Sequence, residues 1–345
     1  MIANKKATGH ARSLSERIAD ERVVEAGPVP VTVLSGFLGS GKTTLLNAVL
    51  VDERFKDAVV IVNEFGDVAV DHALIETAID DPILLSSGCI CCSIRGDLRD
   101  TLLLLRSRRD LNEIPHFSRV IVETSGVSDP GPILSTLLDD RELLRTFTLA
   151  GLLVTVDAVN VVENLSRFEE VQRQIALADC LLITKTDLVA DEQVDAVRAL
   201  VSGINPVAAI HDVRRDRIDP DALLRAAHAR ASTAVPTVAA HHHAHGQSHF
   251  TSSAVRRTDP VEWGELAAWL QSLLSLRDGI LRVKGFVRIT GADGPVVLHC
   301  VGKTLYPPAV LDHWPDDARE TRLVFIGNDP CMPDLQKAMD AALGT

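Results

Sequence analysis

The stretch VPVTVLSGFLGSGKTTLLNAVL, residues 29–50, has the pattern of a buried strand, a glycine-rich turn and a helix. Its centre, GFLGSGKT (36–43), matches G-x-x-x-x-G-K-[ST] in the strand–loop–helix context that this motif requires. In such a loop, backbone N–H groups at a helix N-terminus surround phosphate, a lysine reaches the outer phosphates and a hydroxyl ligates Mg²⁺. The stretch therefore predicts a nucleotide site in which Lys42 is catalytic and Thr43 binds Mg²⁺. The predicted nucleotide contacts in this loop are Gly36, Gly39, Ser40, Gly41, Lys42, Thr43 and Thr44.

The surrounding sequence predicts the fold class. Short β-branched runs alternate with stretches of helical spacing from about residue 28 to 213. Strands that are apolar throughout and separated by helices are typical of a mostly parallel sheet covered on both faces. We therefore expect a doubly wound α/β domain of the P-loop NTPase type. Its predicted strands are 29–36, 58–64, 119–123, 149–157, 178–185 and 205–212.

The chain divides into four predicted parts. A mixed-charge N-terminal stretch has no apolar core, and a later stretch rich in Ala, Ser, Thr and His has no periodicity. Strand-like and helical patterns then return and predict a smaller C-terminal α+β domain. The parts are a flexible tail at 1–28, a P-loop domain with the C-x-C-C motif at 29–230, a histidine-rich linker at 231–253 and the C-terminal domain at 254–345.

Charge and hydropathy limit the partners. The net charge of −12 argues against nucleic acid or an anionic membrane as the main partner. The longest apolar runs, such as LAGLLVTV, are too short to span a bilayer. A cytoplasmic protein with reduced thiols is the expected setting, in which clustered cysteines bind metal or react rather than form disulfides.

The stretch TKTD (184–187) follows a buried apolar strand, at the position of the guanine-reading pattern usually written NKxD. Asp187 can accept from the N1–H and exocyclic amine of guanine, a donor pair that adenine lacks, and Lys185 can pack its stem along the base. Thr184 replaces the usual asparagine. The stretch favours GTP over ATP, and a turn with solvated charges is the alternative.

The stretch VIVETSG (120–126) predicts the second phosphate element. Many GTPases carry D-x-x-G after this strand, whereas Glu123 stands here in place of aspartate and Gly126 is kept. A carboxylate at a strand end can hold Mg²⁺, and a glycine N–H can contact the γ-phosphate. Glu123 and Gly126 are therefore predicted catalytic residues, and Glu123 a predicted Mg²⁺ ligand.

The stretch GCICCS (88–93) holds three of the six cysteines in the chain. Ordinary core cysteines and a redox pair are the alternatives, but neither is typical of three thiols within four positions, flanked by Gly88 and Ser93. Thiolates are soft ligands for Zn²⁺, Cu⁺ or Co²⁺. The stretch predicts a metal site.

The stretch HHHAHGQSH (241–249) is a second candidate for metal binding. Neutral imidazoles at this density bind Zn, Ni, Cu or Co, although a merely polar linker is the alternative. We expect a weak, metal-collecting segment. Its predicted ligands are His241, His242, His243, His245 and His249.

The order of the motifs, G-x-x-x-x-G-K-T, NEFGDVAVDHAL (63–74), C-x-C-C, ETSG and TKTD, closely resembles the CobW-like metallochaperone GTPases. The later GILRVKGFVRI and RLVFIGND resemble that family's C-terminal domain. The resemblance implies that Cys89, Cys91 and Cys92 bind zinc or cobalt near the nucleotide, with Glu64 as a nearby carboxylate. It also implies that the backbone after the cysteines lies beside the nucleotide. The nucleotide contacts implied there are Cys92, Ser93, Ile94, Arg95 and Gly96.

The resemblance implies a GTP-hydrolysing metal chaperone that uses GTP, Mg²⁺ and Zn²⁺, with Co²⁺ as the alternative ion. Hydrolysis would be coupled to delivery of the metal to a client metalloprotein. Three other functions stay open: a GTP-regulated metal buffer or sensor, a cobalt-handling GTPase of the cobalamin-synthesis or nitrile-hydratase-activator type, and a regulatory GTPase with structural zinc. A homo-oligomer also stays open.

Overall fold

The computed structural model of this chain describes residues 27–63, 83–84, 90–94, 97–214 and 250–344. These residues form two β-sheets, each with helices packed against it. In chain order the strands of the first sheet are β1 (Val29–Gly36), β2 (Ala58–Asn63), β3 (Ile83–Leu84), β4 (Ile90–Ile94), β5 (Arg119–Thr124), β6 (Phe147–Asp157), β7 (Cys180–Thr184) and β8 (Ala209–Asp212).

The strands of this sheet lie in the order β3-β4-β2-β5-β1-β6-β7-β8. Every neighbouring pair is parallel except β3 and β4, which are antiparallel. Helices connect the parallel strands and cover both faces of the sheet. In chain order they are α1 (Lys42–Leu50), α2 (Leu98–Asp110), α3 (Gly131–Asp139), α4 (Leu143–Thr146), α5 (Val161–Arg167), α6 (Glu169–Leu177) and α7 (Asp191–Ile204).

Strand β2 shows why the strand sequences are apolar throughout. Val59 and Ile61 belong to one hydrophobic core, whereas Val60 and Val62 belong to a second core on the opposite face. Successive strand residues face opposite sides of a sheet, so a strand covered on both faces buries every side chain. The prediction of a doubly wound, mostly parallel α/β domain is confirmed.

Two local features of this domain do not follow from the sequence patterns. The cysteine stretch contributes a strand, because Cys91 and Cys92 lie in β4, which pairs in parallel with β2 from Val59 to Asn63. The helical pattern over 160–178 is two helices rather than one. Phe168 separates them with an extended backbone, and its ring packs 4.7 Å from the ring of Phe37.

The second sheet is antiparallel, with strands in the order β12-β11-β10-β14-β9 and β13 paired to β11. Two helices cover one of its faces through a core of its own. The elements are β9 (Thr251–Arg257), α8 (Trp263–Leu276), β10 (Ile280–Val287), β11 (Val296–Val301), β12 (Thr304–Leu305), β13 (Ala309–Val310), β14 (Thr321–Gly327) and α9 (Leu335–Leu343).

The boundary of the predicted linker is wrong at its C-terminal end. Strand β9 begins at Thr251, so 251–253 belong to the second sheet, where Ser253 pairs with Phe325. The remainder of the predicted linker, apart from Phe250, lies outside the described residues, as does the predicted N-terminal tail up to residue 26. Among the helices of the described residues, none is long and apolar enough to cross a membrane.

The other face of the second sheet packs on the first domain. Leu281, Val301 and Val324 of that sheet belong to the same hydrophobic core as residues of the α/β domain. A buried ion pair lies beside this core, because the fully buried Arg282 donates to the Asp179 carboxylate and to the Leu177 carbonyl oxygen. The Asp179 carboxylate also accepts from the Leu152 N–H at 2.9 Å.

Candidate functional site

The loop between β1 and α1 has the shape of a phosphate cradle. Gly36 has a φ of 140°, and a Cβ there would lie 2.2 Å from Thr155 Oγ1, so only glycine fits. Lys42 Nζ donates to the carbonyl oxygens of Gly36 and Phe37, at 2.8 and 3.2 Å, which places the ammonium inside the loop. Such a loop, with a lysine at its centre, is suited to binding phosphate oxygens.

The remaining residues of the loop continue this arrangement. Ser40 Oγ lies 2.6 Å from Thr155 Oγ1, which ties the loop to β6. Gly41 precedes α1, and no side chain of the described residues caps this helix N-terminus. The first N–H groups of the helix therefore face the loop, beside Thr43 and Thr44, where an anion can accept from them.

Thr43 and Glu123 form the best candidate for a Mg²⁺ site. Thr43 Oγ1 donates to Glu123 Oε1 at 2.7 Å, and the Glu123 carboxylate is 4% exposed at the end of β5. Mg²⁺ prefers hard oxygen ligands such as carboxylate and hydroxyl. The two predicted Mg²⁺ ligands, 80 residues apart in sequence, are thus brought together at one point.

The ETSG turn lies against the phosphate loop. A Cβ added to Gly126 would lie 2.8 Å from the Leu38 backbone nitrogen, so the close approach of the two loops requires glycine. The turn is closed by a hydrogen bond from the Ser128 N–H to the Ser125 carbonyl oxygen at 3.1 Å. The predicted residue Gly126 is therefore adjacent to the loop that carries Lys42.

A pocket of about 270 Å³ opens beside the TKTD stretch. Its lining combines polar and apolar side chains, which suits a planar heterocycle that carries polar edges. Sequence reasoning missed the wall residues Leu45, Leu188 and Val213, since no local motif marks them. The lining residues are Gly41, Thr44, Leu45, Thr184, Lys185, Asp187, Leu188 and Val213.

Hydrogen bonds fix the TKTD stretch in this pocket. Lys185 has a φ of 58°, and its ammonium lies 2.7 Å from the carboxylate of Asp157 at the end of β6. Burial raises the pKa of Asp157, but hydrogen bonds from Lys185, Asn160 and Val159 outweigh it and hold the pKa below its ordinary value. The ionised Asp157 therefore orients Lys185, a role that sequence reasoning missed although a buried aspartate at a strand end was a visible signal.

The cysteine strand lies in the same sheet as the phosphate elements. Cys92 pairs with Ile61 of β2, and Ile61 pairs with Val122 of β5, the residue before Glu123. Two strand spacings separate β4 from β5, so the backbone of Cys92 lies about 10 Å from that of Val122. By the same register, Ile94 is level with Asn63 and Thr124 at the C-terminal ends of the strands, where the ETSG turn begins.

Several predicted site residues lie outside the described part of the chain. Cys91, Cys92, Ser93 and Ile94 are described by their backbone in β4. The residues outside the described ranges are Glu64, Cys89, Arg95, Gly96, His241, His242, His243, His245 and His249.

The cysteines outside this motif are poor candidates for metal ligands. Burial raises the pKa of the Cys180 thiol to about 12, and the nearby Asp179 carboxylate acts in the same direction. Burial likewise raises the pKa of Cys300 to about 12. Burial and the neighbouring Asp329 raise that of Cys331 to about 11. The thiolate is the form that binds metal, so these three are disfavoured at neutral pH.

Family comparison agrees with the architecture. Residues 30–212 match the CobW/HypB/UreG nucleotide-binding domain, and residues 250–343 match the cobalamin synthesis protein CobW C-terminal domain. The chain belongs to the CobW/HypB/UreG family. The expected CobW-like GTPase family and the P-loop NTPase-type fold are thereby confirmed.

Individual relatives are similar over nearly the whole chain. The zinc chaperone YjiA of Escherichia coli is 34% identical over 303 residues, which cover 87% of this chain and 94% of that protein. The crystal structure of the Zn(II)-bound YjiA GTPase from E. coli is 30% identical, covers 92% of this chain and 100% of that chain, and has a TM-score of 0.76. A Zn(II)-bound triple mutant of the YjiA GTPase, in which one glutamate and two cysteines are replaced by alanine, has a TM-score of 0.77 at 30% identity and the same coverage.

Proposed function

We propose that this protein is a GTP-hydrolysing metal chaperone, which binds Zn²⁺ at its C-x-C-C motif and couples GTP hydrolysis to delivery of the ion to a client protein. One observation carries the proposal: the cysteine strand β4 lies in the same sheet as β5, which carries Glu123, with a single strand between them, and Glu123 accepts from Thr43 at 2.7 Å. A shift of β5 at the phosphate site can therefore reach the cysteines of β4 through one intervening strand, β2.

The phosphate end of the nucleotide is assigned to the loop over 36–43 and to α1. Lys42 reaches the β- and γ-phosphates, and backbone N–H groups of the loop and of Thr44 surround them. Thr43 and Glu123 hold Mg²⁺, which when bound neutralises charge on the phosphates. The Gly126 N–H donates to the γ-phosphate, which only the triphosphate carries.

The base end of the nucleotide is assigned to the pocket beside TKTD. Asp187 accepts from the two guanine donors, and Lys185, oriented by Asp157, packs along the base. Leu188 and Val213 supply the apolar walls that a heterocycle requires. This set of contacts selects guanine over adenine, because adenine has no donor pair for Asp187.

The cargo is assigned to Cys89, Cys91 and Cys92, with Glu64 as an additional carboxylate, and contacts to the nucleotide are assigned to the backbone from Ser93 to Gly96. Zn²⁺ is the first assignment because thiolates favour it and because the similar YjiA is described as a zinc chaperone. Co²⁺ is the alternative. The histidines over 241–249 add a weak site that collects metal.

The proposed setting follows from the cargo. A chaperone that carries zinc on thiolates needs reduced cysteines, which is the condition of the cytoplasm. Its partner is a client metalloprotein that receives the ion.

Turnover of GTP tests the enzymatic part of the proposal. Lys42→Ala should lower GTP hydrolysis by about a hundredfold or more, because the charge that stabilises the transferring phosphate is lost. Lys56→Ala is the matched control, since Lys56 is exposed and pairs only weakly with Glu53 at 3.5 Å. Both rates are measured as phosphate release with Mg²⁺, with and without Zn²⁺. A wild-type protein that hydrolyses no GTP in either condition would favour a metal buffer or sensor instead.

A further inference from the structure

Helix α6 touches the ETSG turn through one buried side chain. Gln174 is 1% exposed, and its Nε2 donates to the carbonyl oxygens of Gly126 and Ser128, at 3.3 and 3.0 Å. A side-chain amide carries two hydrogens, so both bonds are made at once. The two acceptors flank the peptide units of the turn, and Gln174 therefore sets how far Gly126 stands from the phosphate loop.

The C-terminal end of the same helix is held by two side chains. Asn205, at the end of α7, places its amide nitrogen 2.8–3.1 Å from the carbonyl oxygens of Ile175, Ala176 and Ala178, which share its two hydrogens. The Leu177 carbonyl oxygen accepts instead from Arg282 of the second domain. The last carbonyl groups of a helix have no partner within the helix, so these contacts complete its hydrogen bonding and fix its position.

Arg282 is anchored at the same time to the residue that follows this end. Its guanidinium pairs with the Asp179 carboxylate, and both side chains are at most 2% exposed. Gln174 and Leu177 are three residues apart, which is less than one helical turn or about 4.5 Å along the axis. The ETSG turn and the second domain thus contact α6 at positions less than one helical turn apart.

We propose that Gln174 is a positioning residue for the γ-phosphate contact of Gly126, and that α6 transmits the state of that contact to the C-terminal domain through Arg282. The proposal rests on the proposed function, which assigns the Gly126 N–H to the γ-phosphate. GDP lacks this phosphate, so its affinity is independent of the position of Gly126. Gln174 therefore determines the preference for GTP over GDP rather than nucleotide affinity in general.

The first test compares two glutamines on one helix. Gln174→Met keeps the size of the side chain and removes both donated hydrogen bonds. Gln172→Met is the matched control, because Gln172 is also buried and donates to the Leu165 carbonyl oxygen at 2.9 Å, away from the turn. Affinities for a non-hydrolysable GTP analogue and for GDP are measured on the full chain.

We expect Gln174→Met to weaken binding of the GTP analogue by about five- to tenfold, the size of one hydrogen bond, because the misplaced Gly126 N–H no longer donates well to the γ-phosphate, with the GDP affinity unchanged within twofold. Gln172→Met should leave the ratio of the two affinities at its wild-type value. A general structural role of Gln174 would weaken both nucleotides equally. A folded Gln174→Met protein with the wild-type ratio would overturn the proposal.

The second test concerns the second domain. Arg282→Lys keeps a cation beside Asp179, but a single ammonium lacks the planar fork that reaches the carboxylate and the Leu177 carbonyl oxygen together. It should lower the same affinity ratio. Thr304→Val is its control, because Thr304 donates to Asp139 at 2.9 Å across the domain interface without touching α6. If the ratio of GTP-analogue to GDP affinity fell equally in Arg282→Lys and Thr304→Val, or in neither variant, transmission through Arg282 would be overturned.

Hydrogen exchange on the wild-type protein gives a readout that needs no folded Arg282 variant. Amides of Ile280–Val287 in β10 should be better protected with the GTP analogue than with GDP. Equal protection would contradict transmission to the second domain. Equal affinities of the wild-type protein for the GTP analogue and for GDP would overturn the assignment of Gly126 to the γ-phosphate, and with it the role of Gln174. Unequal affinities combined with equal protection of β10 would overturn only the transmission through α6.

Discussion

Thr184 stands where the guanine-reading pattern usually has asparagine, and its contacts explain how a threonine serves there. Its hydroxyl hydrogen points to the Ser40 carbonyl oxygen at 2.7 Å, with the Val156 carbonyl oxygen as a second acceptor at 3.2 Å. A hydroxyl has one hydrogen to donate. Thr184 therefore connects β7 to the phosphate loop, and in the proposed site Asp187 recognises the base.

Asp187→Asn should shift the base preference from guanine toward xanthine. The amide of asparagine donates to the additional carbonyl of xanthine, whereas the carboxylate only accepts. Affinities for GTP and xanthosine triphosphate measure the change. Asp191→Asn at the start of α7 is the control, because Asp191 is exposed and does not line the pocket. An Asp187→Asn protein with wild-type affinity for GTP and no gain for xanthosine triphosphate would remove Asp187 from the base site.

At the scale of the element, sequence predicted best the strands that are buried on both faces. The predicted strand over 29–36 agrees with β1, and β2 covers the described part of the strand predicted over 58–64. The strand predicted over 205–212 begins only at Ala209, because Asn205 uses its side chain to hold the carbonyl groups at the end of α6. A tertiary contact of this kind leaves no periodic pattern.

Strands β4 and β9 were missed for a related reason. The cysteines of β4 predicted a metal site but no strand. The position of this strand depends on its pairing with β2, which is a long-range contact. In β9, TSSAVRR offers one buried valine, Val255, and small polar residues that pair with β14 at the sheet edge. In the site, motifs pointed to Lys42 and Thr43. They could not point to Gln174 or Val213, which reach the site from remote elements.

The burial of two cysteines within strands predicts that their thiols react slowly. Cys180 at the start of β7 and Cys300 in β11 are fully buried, and the pKa of each thiol is raised to about 12 by burial. At neutral pH, alkylation of the folded protein should therefore modify both far more slowly than alkylation in urea. Mass spectrometry of the modified peptides measures the rates. Rapid labelling of Cys180 in the folded protein would contradict its burial in β7.

At the scale of the whole molecule, the two domains share a core and a buried charge cluster. Asp179 of the first domain faces Arg282, His299 and Lys284 of the second. Burial raises the pKa of Asp179, but Arg282, His299 and Lys284, together with the hydrogen bond from the Leu152 N–H, outweigh it and hold the pKa well below its ordinary value. The domain interface is therefore held by an ionised carboxylate as well as by apolar contacts.

Asp179→Asn should lower the free energy of unfolding by about 3–5 kcal/mol at neutral pH, because it leaves a buried cation uncompensated. The lowered pKa means that the folded state releases its proton more readily than the unfolded state. The stabilisation by Asp179 is thus fully present above about pH 4 and is lost as the pH falls through the folded pKa. Urea unfolding at pH 7 and below pH 4 should show the difference between wild type and variant shrinking in acid.

Asp316→Asn is the matched control for this comparison. Its carboxylate pairs with Arg322 at 2.7 Å but is 45% exposed, so its removal should cost about 1 kcal/mol or less. If Asp179→Asn were no more destabilising than Asp316→Asn, the buried pair would not hold the domains together.

Zinc affinity in the presence of a GTP analogue and of GDP tests the central claim, that nucleotide and metal binding are coupled through the C-x-C-C motif. Because a YjiA variant without one glutamate and two cysteines also carries Zn(II), the measurement must report the tightest site, by competition with a chromophoric chelator, rather than metal content. In the wild type the two affinities should differ by about fivefold or more. Replacing Cys89, Cys91 and Cys92 with serine should remove both the tight site and its dependence on nucleotide, since a hydroxyl is a poor substitute for a thiolate. A tight, nucleotide-sensitive zinc site that persists in this triple variant would contradict the claim.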